Sequence, residues 1–203
     1  MLQNRVNPFG QLITTPARGA WMGNRGLIHD DEQNVLRPFK LKAWLICLLE
    51  FKGWKRPIMA PRQYTELFFF DEATAYAAGH RPCFECRRAD YNKFKSLWLK
   101  ANPEYGFNEK VYIRLIDEII HGERIDSTGA KVKYEDHLDT LPDGTFLELG
   151  GKPYVLNQGS IYPWSPSGYG ERDELPKTEM VTVLTPRSVV NTFRAGLKPQ
   201  IYI

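Results

Sequence analysis

The sequence predicts an α+β protein in which a helical or mixed N-terminal part precedes a small antiparallel β-rich part. Composition changes near residue 140, from Lys, Arg and helix formers to Gly, Pro and alternating strand residues. The apolar and aromatic content, 42% and 13% of 203 residues, is enough for one core or two small ones joined closely. We therefore predict a mixed part over residues 1–140 and a β-rich part over residues 141–203, and leave open whether they pack as one unit.

The first third of the chain gives weak structural signals. Residues 1–36 are rich in glycine and polar residues and are predicted as loops. Residues 43–51 form a short apolar run, for which a buried strand and a short helix both remain open. This run contains Glu50 and is too short to cross a bilayer, so we expect no membrane insertion.

The clearest local pattern lies within residues 66–100. Residues 67–70 are a compact apolar strand, and Asp71 after them is a suitable helix N-cap. Residues 72–78 are good helix formers, and Gly79 is a typical left-handed helix end.

A longer helix is predicted after Gly79. Pro82 suits a first helical turn, which would place Cys83 and Cys86 at the helix N-terminus. Apolar residues recur at spacings of three and four along it: Tyr91, Phe94, Leu97 and Trp98. A further amphipathic helix is predicted around residues 111–121.

The β-rich part begins after the turn signal of residues 141–144. Residues 145–149 and 153–156, on either side of two glycines, predict a β-hairpin. The remaining predicted elements are strands over 161–166 and 180–184, a helix over 186–195, and a last strand over 199–203.

Cys83 and Cys86 form the chemically most informative motif. Two cysteines at this spacing can bind one metal ion together, because both sulfurs lie on one side of the turn. A tetrahedral zinc ion needs two more ligands, so the motif supplies half a site. The helix dipole and the arginines beside the motif would also favour thiolates, which suits metal binding or thiol chemistry.

Residues 66–88 carry, in order, a strand, a helix rich in Glu and Ala, the sequence Gly-His-Arg-Pro-Cys and a second cysteine. In this order they resemble the second half of the zinc-binding domain of the Ada family of DNA methyl phosphotriester repair proteins. The resemblance covers about a ninth of the chain. It implies an Ada-like strand, helix, Cys-x-x-Cys and helix, with Cys83 and Cys86 as zinc ligands.

The Ada-type zinc site has four cysteines, two of them upstream, whereas this chain has only Cys47 upstream of the motif. Cys47 is therefore an approximate counterpart, and the fourth ligand would come from His29, His80, Glu50 or another group. Methyl transfer does not carry over to so incomplete a set, and the resemblance is compatible with a complete or a degenerate zinc site. The same motif also fits the second zinc motif of nucleobase deaminases, but the upstream His or Cys that those enzymes need is missing.

Basic residues surround the cysteine motif. Arg81, Arg87, Arg88 and Lys93 stand beside aromatic residues, a mixture that can hold phosphates and stack bases if it faces outward. We predict these four as nucleic-acid-binding residues, although the aromatic residues share the helix face predicted to form the core. Residues 18–26, with two arginines and three glycines, are either a phosphate-binding loop or a structural turn.

Three functional hypotheses follow. The first is a nucleic-acid-associated module, for DNA or RNA, with a complete or degenerate zinc site. The second is an enzyme with a cleft between the two parts, for which the sequence nominates no catalytic residue. The third is a structural or interaction protein with a vestigial Cys-x-x-Cys. The odd cysteine count and the absence of a signal-peptide pattern predict a cytoplasmic location, and the oligomeric state is open.

Overall fold

The computed structural model describes residues 1–53, 57–177 and 179–203. Their regular structure comprises two six-stranded sheets and four α-helices, with short 3-10 helices at Pro103–Tyr105 and Leu138–Thr140. The class is α+β, as predicted.

The first sheet occupies the N-terminal part of the chain. Its strands are β1 (Arg5–Val6), β2 (Leu12–Ile13), β3 (Trp21–Asn24), β4 (Leu45–Cys47), β5 (Leu67–Phe69) and β6 (Arg81–Pro82). They lie in the order β2-β1-β5-β3-β4-β6. The N-terminal part is therefore mixed and not helical, and residues 1–36, which were predicted as loops, contain the three strands β1, β2 and β3. Strands of two to four residues are too short to show the alternation of apolar and polar residues from which a strand is predicted.

The helices follow the predicted pattern more closely. They are α1 (Glu72–Ala77), α2 (Arg88–Ala101), α3 (Ile113–Arg124) and α4 (Arg187–Arg194). Asp71 caps α1, since its carboxylate accepts a hydrogen bond from the Thr74 amide at 2.8 Å. Gly79 has a φ of 85°, the left-handed conformation expected after a helix.

Pro82 lies in β6 and not in the first turn of α2. The cause is the parallel pairing of β6 with β4, in which Ile46 is opposite Pro82. Proline lacks an amide hydrogen and is tolerated here because β6 is an edge strand. Cys83 and Cys86 consequently lie in the turn between β6 and α2.

The second sheet is entirely antiparallel and contains the predicted hairpin. Its strands are β7 (Tyr134–His137), β8 (Phe146–Leu149), β9 (Lys152–Asn157), β10 (Ser160–Ser165), β11 (Gly168–Tyr169) and β12 (Met180–Val183), in the order β11-β10-β9-β8-β12-β7. The strand predicted over residues 199–203 does not form. The backbone there pairs instead with the start of α1, since the Ala73 amide donates to the Gln200 carbonyl at 3.2 Å.

The two sheets are joined by shared packing. Val189, Phe193 and Leu197, in and just after α4, belong to the same buried cluster as Tyr76 and Phe94 of the N-terminal part. Strand β7 lies before residue 140 but pairs with β12 of the second sheet. Among the described residues, no helix has the length and apolar character needed to cross a membrane.

Candidate metal centre

Three cysteine sulfurs meet where β4 ends. Cys47 is the last residue of β4, and the register of β4 against β6 pairs Ile46 with Pro82, so Cys83 follows beside Cys47. The Cys83 amide also donates to the Ile46 carbonyl at 2.9 Å. The turn that leads into α2 then returns Cys86 to the same place. The three sulfur atoms all lie within 4.8 Å of one another.

The sulfurs are sheltered and receive backbone donors. Cys47 and Cys83 are buried, and Cys86 is half-buried. The Leu48 amide donates to the Cys86 sulfur, and the Glu85 amide donates to the Cys83 sulfur, each at 3.4 Å. Such donors offset negative charge on sulfur and orient the ligand atoms of a metal site.

The three thiols share protons unequally. Hydrogen bonds from Cys47 and then Cys86 lower the pKa of Cys83. The same contacts, with Cys83 first, raise the pKa of Cys47. The Cys83 sulfur is therefore the one that most readily becomes a thiolate, and the Cys47 thiol keeps its proton. A cation that binds all three would replace the remaining thiol protons.

The spacing suits a zinc ion. Zinc–sulfur bonds of about 2.3 Å in a tetrahedron place the sulfurs roughly 3.8 Å apart. This separation is compatible with three sulfurs that all lie within 4.8 Å of one another. The set would supply three thiolates and leave a fourth coordination position. Within the described part of the chain, no His, Asp or Glu joins the cysteines in a group of this compactness.

The other predicted metal ligands lie elsewhere. The His29 ring contacts the Thr65 hydroxyl through Nδ1 and the Ala60 carbonyl through Nε2, and His29 lies outside the cysteine group. His80 is fully buried, and its Nε2 accepts a hydrogen bond from Arg25 at 3.2 Å. Both rings therefore serve local hydrogen bonds in this structure.

Two of the four predicted nucleic-acid-binding residues face inward. Arg81 is buried and forms two 2.7 Å bonds to the Asp117 carboxylate. Arg87 is buried as well and pairs with Glu72 at 2.6 Å and with Asp90 at 2.8 Å. These guanidiniums are neutralised inside the fold, so they do not offer a phosphate-facing surface.

The other two face solvent. Arg88 is exposed and lies 3.6 Å from the ring centroid of Phe84, which is itself 48% exposed. Lys93, further along α2, is exposed as well. An exposed cation and aromatic pair is therefore formed by Phe84, which lies between the two cysteines, and Arg88, the first residue of α2.

Residues 18–26 are mainly structural. Trp21–Asn24 forms β3, between β5 and β4, and a side chain at Gly23 would collide with the Leu45 carbonyl. Arg25, at the end of this segment, turns into a cavity with Arg124 and Lys131. This group is not evident from the sequence, because about a hundred residues separate Arg25 from Arg124 and Lys131 and no local motif links them.

Comparison of the chain with protein-family models, with curated proteins and with solved structures finds no match in any of the three. The local order of strand, helix, left-handed glycine, cysteine turn and helix is present in residues 66–101. An Ada-type domain nevertheless has no support from a family, a relative or a solved fold. The structure does show that Cys47, Cys83 and Cys86 lie close enough together to hold a metal ion.

Proposed function

We propose that this chain is a zinc-binding protein in which Cys47, Cys83 and Cys86 ligate one zinc ion as thiolates. The observation that carries the proposal is the convergence of the three sulfur atoms to within 4.8 Å. Zinc is the metal of choice because several thiolates in a tetrahedral arrangement favour it, and because it adds no redox chemistry of its own.

The ion would act first as a structural metal that stabilises the fold. It would link the end of β4 to the turn before α2, where β6 contributes only two residues and one of them is a proline. A pairing this short is weak by itself, and metal–ligand bonds add folding free energy where the chain provides few contacts. Cys86 is the least buried of the three cysteines, and a fourth coordination position would be available to a water molecule or an exogenous ligand.

Elemental analysis and native mass spectrometry of the protein purified under reducing conditions test this proposal. We expect one zinc per chain, lost in each of Cys47→Ser, Cys83→Ser and Cys86→Ser. His29→Gln is the matched control and should keep its zinc, since His29 bonds to Thr65. A folded wild-type protein that takes up no zinc when the ion is supplied would refute the site.

A disulfide is the competing fate of these sulfurs. Two of them could be oxidised to a disulfide, which releases two protons and two electrons to an oxidant and leaves the third thiol free. The intact mass and a thiol count separate the outcomes: zinc-bound protein shows three thiols after denaturation in chelator, and oxidised protein shows one. One thiol in protein prepared without exposure to oxidant would count against zinc.

We also propose nucleic acid as the partner, on the basis of the exposed Arg88 and Phe84 pair and of Lys93. Guanidinium and aromatic groups side by side suit a backbone phosphate and a stacked base. Binding of a labelled single-stranded DNA or RNA oligonucleotide should weaken with salt and fall in an Arg88→Ala, Lys93→Ala double variant. Lys152→Ala, at an exposed lysine in β9 of the second sheet, is the control. Equal binding by the double variant and the control would exclude this surface.

A further inference from the structure

A cavity of about 490 Å³ lies between the N-terminal segment, the end of α3 and the loop that follows it. This volume is typical of sites for small molecules. Four cations line it, Arg25, Arg124, Lys131 and Lys133, and none of its described lining residues is an aspartate or a glutamate. Apolar walls complete it, formed by Phe9, Leu12, Pro38, Trp44, Ala78 and Ile125.

The two arginines are buried against one tryptophan ring. Arg25 is 1% exposed and its guanidinium carbon lies 3.6 Å from the ring centroid of Trp44. Arg124 is 3% exposed and lies 3.8 Å from the same centroid. Stacking on Trp44 fixes both guanidiniums in place, as a preorganised binding site requires.

The hydrogen-bond acceptors of these arginines are all neutral. Arg25 donates to the Gly10 carbonyl at 2.9 Å and to the His80 ring. Arg124 donates to the Gly79 carbonyl at 2.7 Å, to the Lys42 carbonyl at 2.6 Å and to the His121 ring. These bonds orient the guanidiniums but leave their positive charges unneutralised.

Each arginine also keeps a donor without a protein partner. Arg25 Nη2 and Arg124 Nε are buried and find no acceptor among the described residues. Arg25 Nη2 lies near the lining residue Gly10, since a Cβ added to that glycine would lie 3.9 Å from it. Buried charged donors without acceptors are costly, and a bound anion would satisfy them.

Two lysines, Lys131 and Lys133, add further basic groups to the cavity lining. Lys133 is balanced by Glu148, whose carboxylate lies 2.5 Å from its ammonium group. Lys131 donates to the Ala77 carbonyl at 2.7 Å and has no carboxylate partner among the described residues. Three basic groups therefore remain without a balancing carboxylate: Arg25, Arg124 and Lys131. Burial, followed by repulsion from Arg124 and Arg25, lowers the pKa of Lys131 to about 7, and a bound anion would favour its protonated form.

We propose that this cavity binds a small organic phosphate, with Arg25, Arg124 and Lys131 around its phosphoryl group. A phosphate monoester carries a charge of about −1.5 to −2 near neutral pH, which comes closer to balancing three cations than a single carboxylate does. Its several oxygens can accept from more than one guanidinium at once. The apolar walls and the volume accommodate an organic group besides the phosphate.

Isothermal titration calorimetry of the purified protein, whose zinc content is measured on the same sample, tests the proposal with defined probes. The probes are inorganic phosphate, AMP, adenosine and citrate. We expect AMP to bind, phosphate to bind more weakly because it leaves the apolar walls empty, and adenosine not to bind. Lys131→Met should weaken AMP binding by about tenfold or more, as expected for loss of a charged hydrogen bond. Lys110→Met, at an exposed site, should bind like the wild type.

A second variant and two outcomes complete the test. Ala130→Phe places a large side chain at an exposed residue of the cavity lining and should abolish AMP binding without disturbing the core. If citrate binds more tightly than AMP, the ligand of the cavity is a polycarboxylate and the assignment of an organic phosphate is wrong. Absence of AMP and phosphate binding, or binding unchanged in Lys131→Met and Ala130→Phe, would overturn the proposal. The outcome is independent of the zinc site, since zinc content is measured on the same sample.

Discussion

The buried His80 ring illustrates how a single contact sets a protonation state. Its Nε2 accepts a hydrogen bond from the Arg25 guanidinium, so the ring is neutral and carries its proton on Nδ1. Burial, followed by repulsion from Arg25 and Arg124, places the pKa of His80 well below its usual value. The ring therefore acts as an acceptor that holds Arg25 against Trp44.

This histidine should make the protein less stable in mild acid. The unfolded chain binds a proton at His80 with a pKa of about 6.5, whereas the folded chain does not, so stability falls as the pH drops below about 6.5. The slope approaches about 1.4 kcal/mol per pH unit for this one group. Urea unfolding of the wild type and of His80→Gln between about pH 7 and pH 5.5 measures it. A variant with the same slope as the wild type would contradict the assignment.

The buried ion pair of Arg81 and Asp117 should contribute strongly to stability. Both side chains are about 5% exposed and share two short bonds, so removal of one partner leaves the other charge buried and alone. Asp117→Ala should lower the free energy of unfolding by about 3 kcal/mol or more in urea titrations. Glu118→Ala, which removes the partner of the exposed Arg114, should cost less than about 1 kcal/mol. Similar costs for the two variants would refute the assigned role.

Single elements were predictable where the signal is local. The Asp71 cap and the left-handed Gly79 mark α1 at both ends, because capping depends on residues next to the helix. Strands β1 and β2 were missed because two residues cannot show a period. The pairing that placed Pro82 in a strand depends on β4, which lies far away in sequence.

The candidate site shows the same division between local and distant signals. Cys83 and Cys86 were evident from their spacing, while Cys47 joins them only through the register of β4 against β6. The burial of Arg81 and Arg87 depends on Asp117 and Glu72, which lie on other elements. A basic residue in a sequence therefore indicates charge but does not tell whether the fold has already neutralised it.

For the proposed zinc site, we expect loss of the ion to loosen the turn between β6 and α2. The amides of Leu48 and Glu85 donate to sulfurs of the cluster, and these bonds weaken when a thiolate becomes a thiol. Hydrogen exchange with and without chelator should show faster exchange of these two amides. The Thr74 amide in α1 is bonded to Asp71 and should remain unchanged as an internal control. If exchange became faster at all amides alike, metal loss would unfold the whole chain and would not act locally on this turn.

At the scale of the whole molecule, the two sheets depend on each other. The Trp164 ring donates to the Thr74 hydroxyl at 3.0 Å, and the Tyr169 hydroxyl donates to Asp71 at 2.8 Å. These bonds join β10 and β11 of the second sheet to α1 of the N-terminal part. Together with the packing of α4, they predict that the chain unfolds as one unit.

Truncation tests this interdependence. A chain of residues 1–140 would lose Val189, Phe193 and Leu197 from the main core, and β7 would lose its partner β12. We expect it to lack a cooperative urea transition, while the full chain shows one transition that coincides by far-ultraviolet circular dichroism and tryptophan fluorescence. A cooperatively folded 1–140 fragment would show that the two parts are independent domains, as the change of composition near residue 140 allows.

The contact of Trp44 with two sequence-distant arginines also gives the cavity an optical signal. An indole emits at a wavelength that depends on the charges beside its ring, and the guanidinium carbons of Arg25 and Arg124 lie within 3.8 Å of its centroid. An anion that offsets those charges would shift the emission of this one ring among the five tryptophans of the chain. The protein would then report its own occupancy by fluorescence, without a label, and a Trp44→Phe variant would identify the ring responsible.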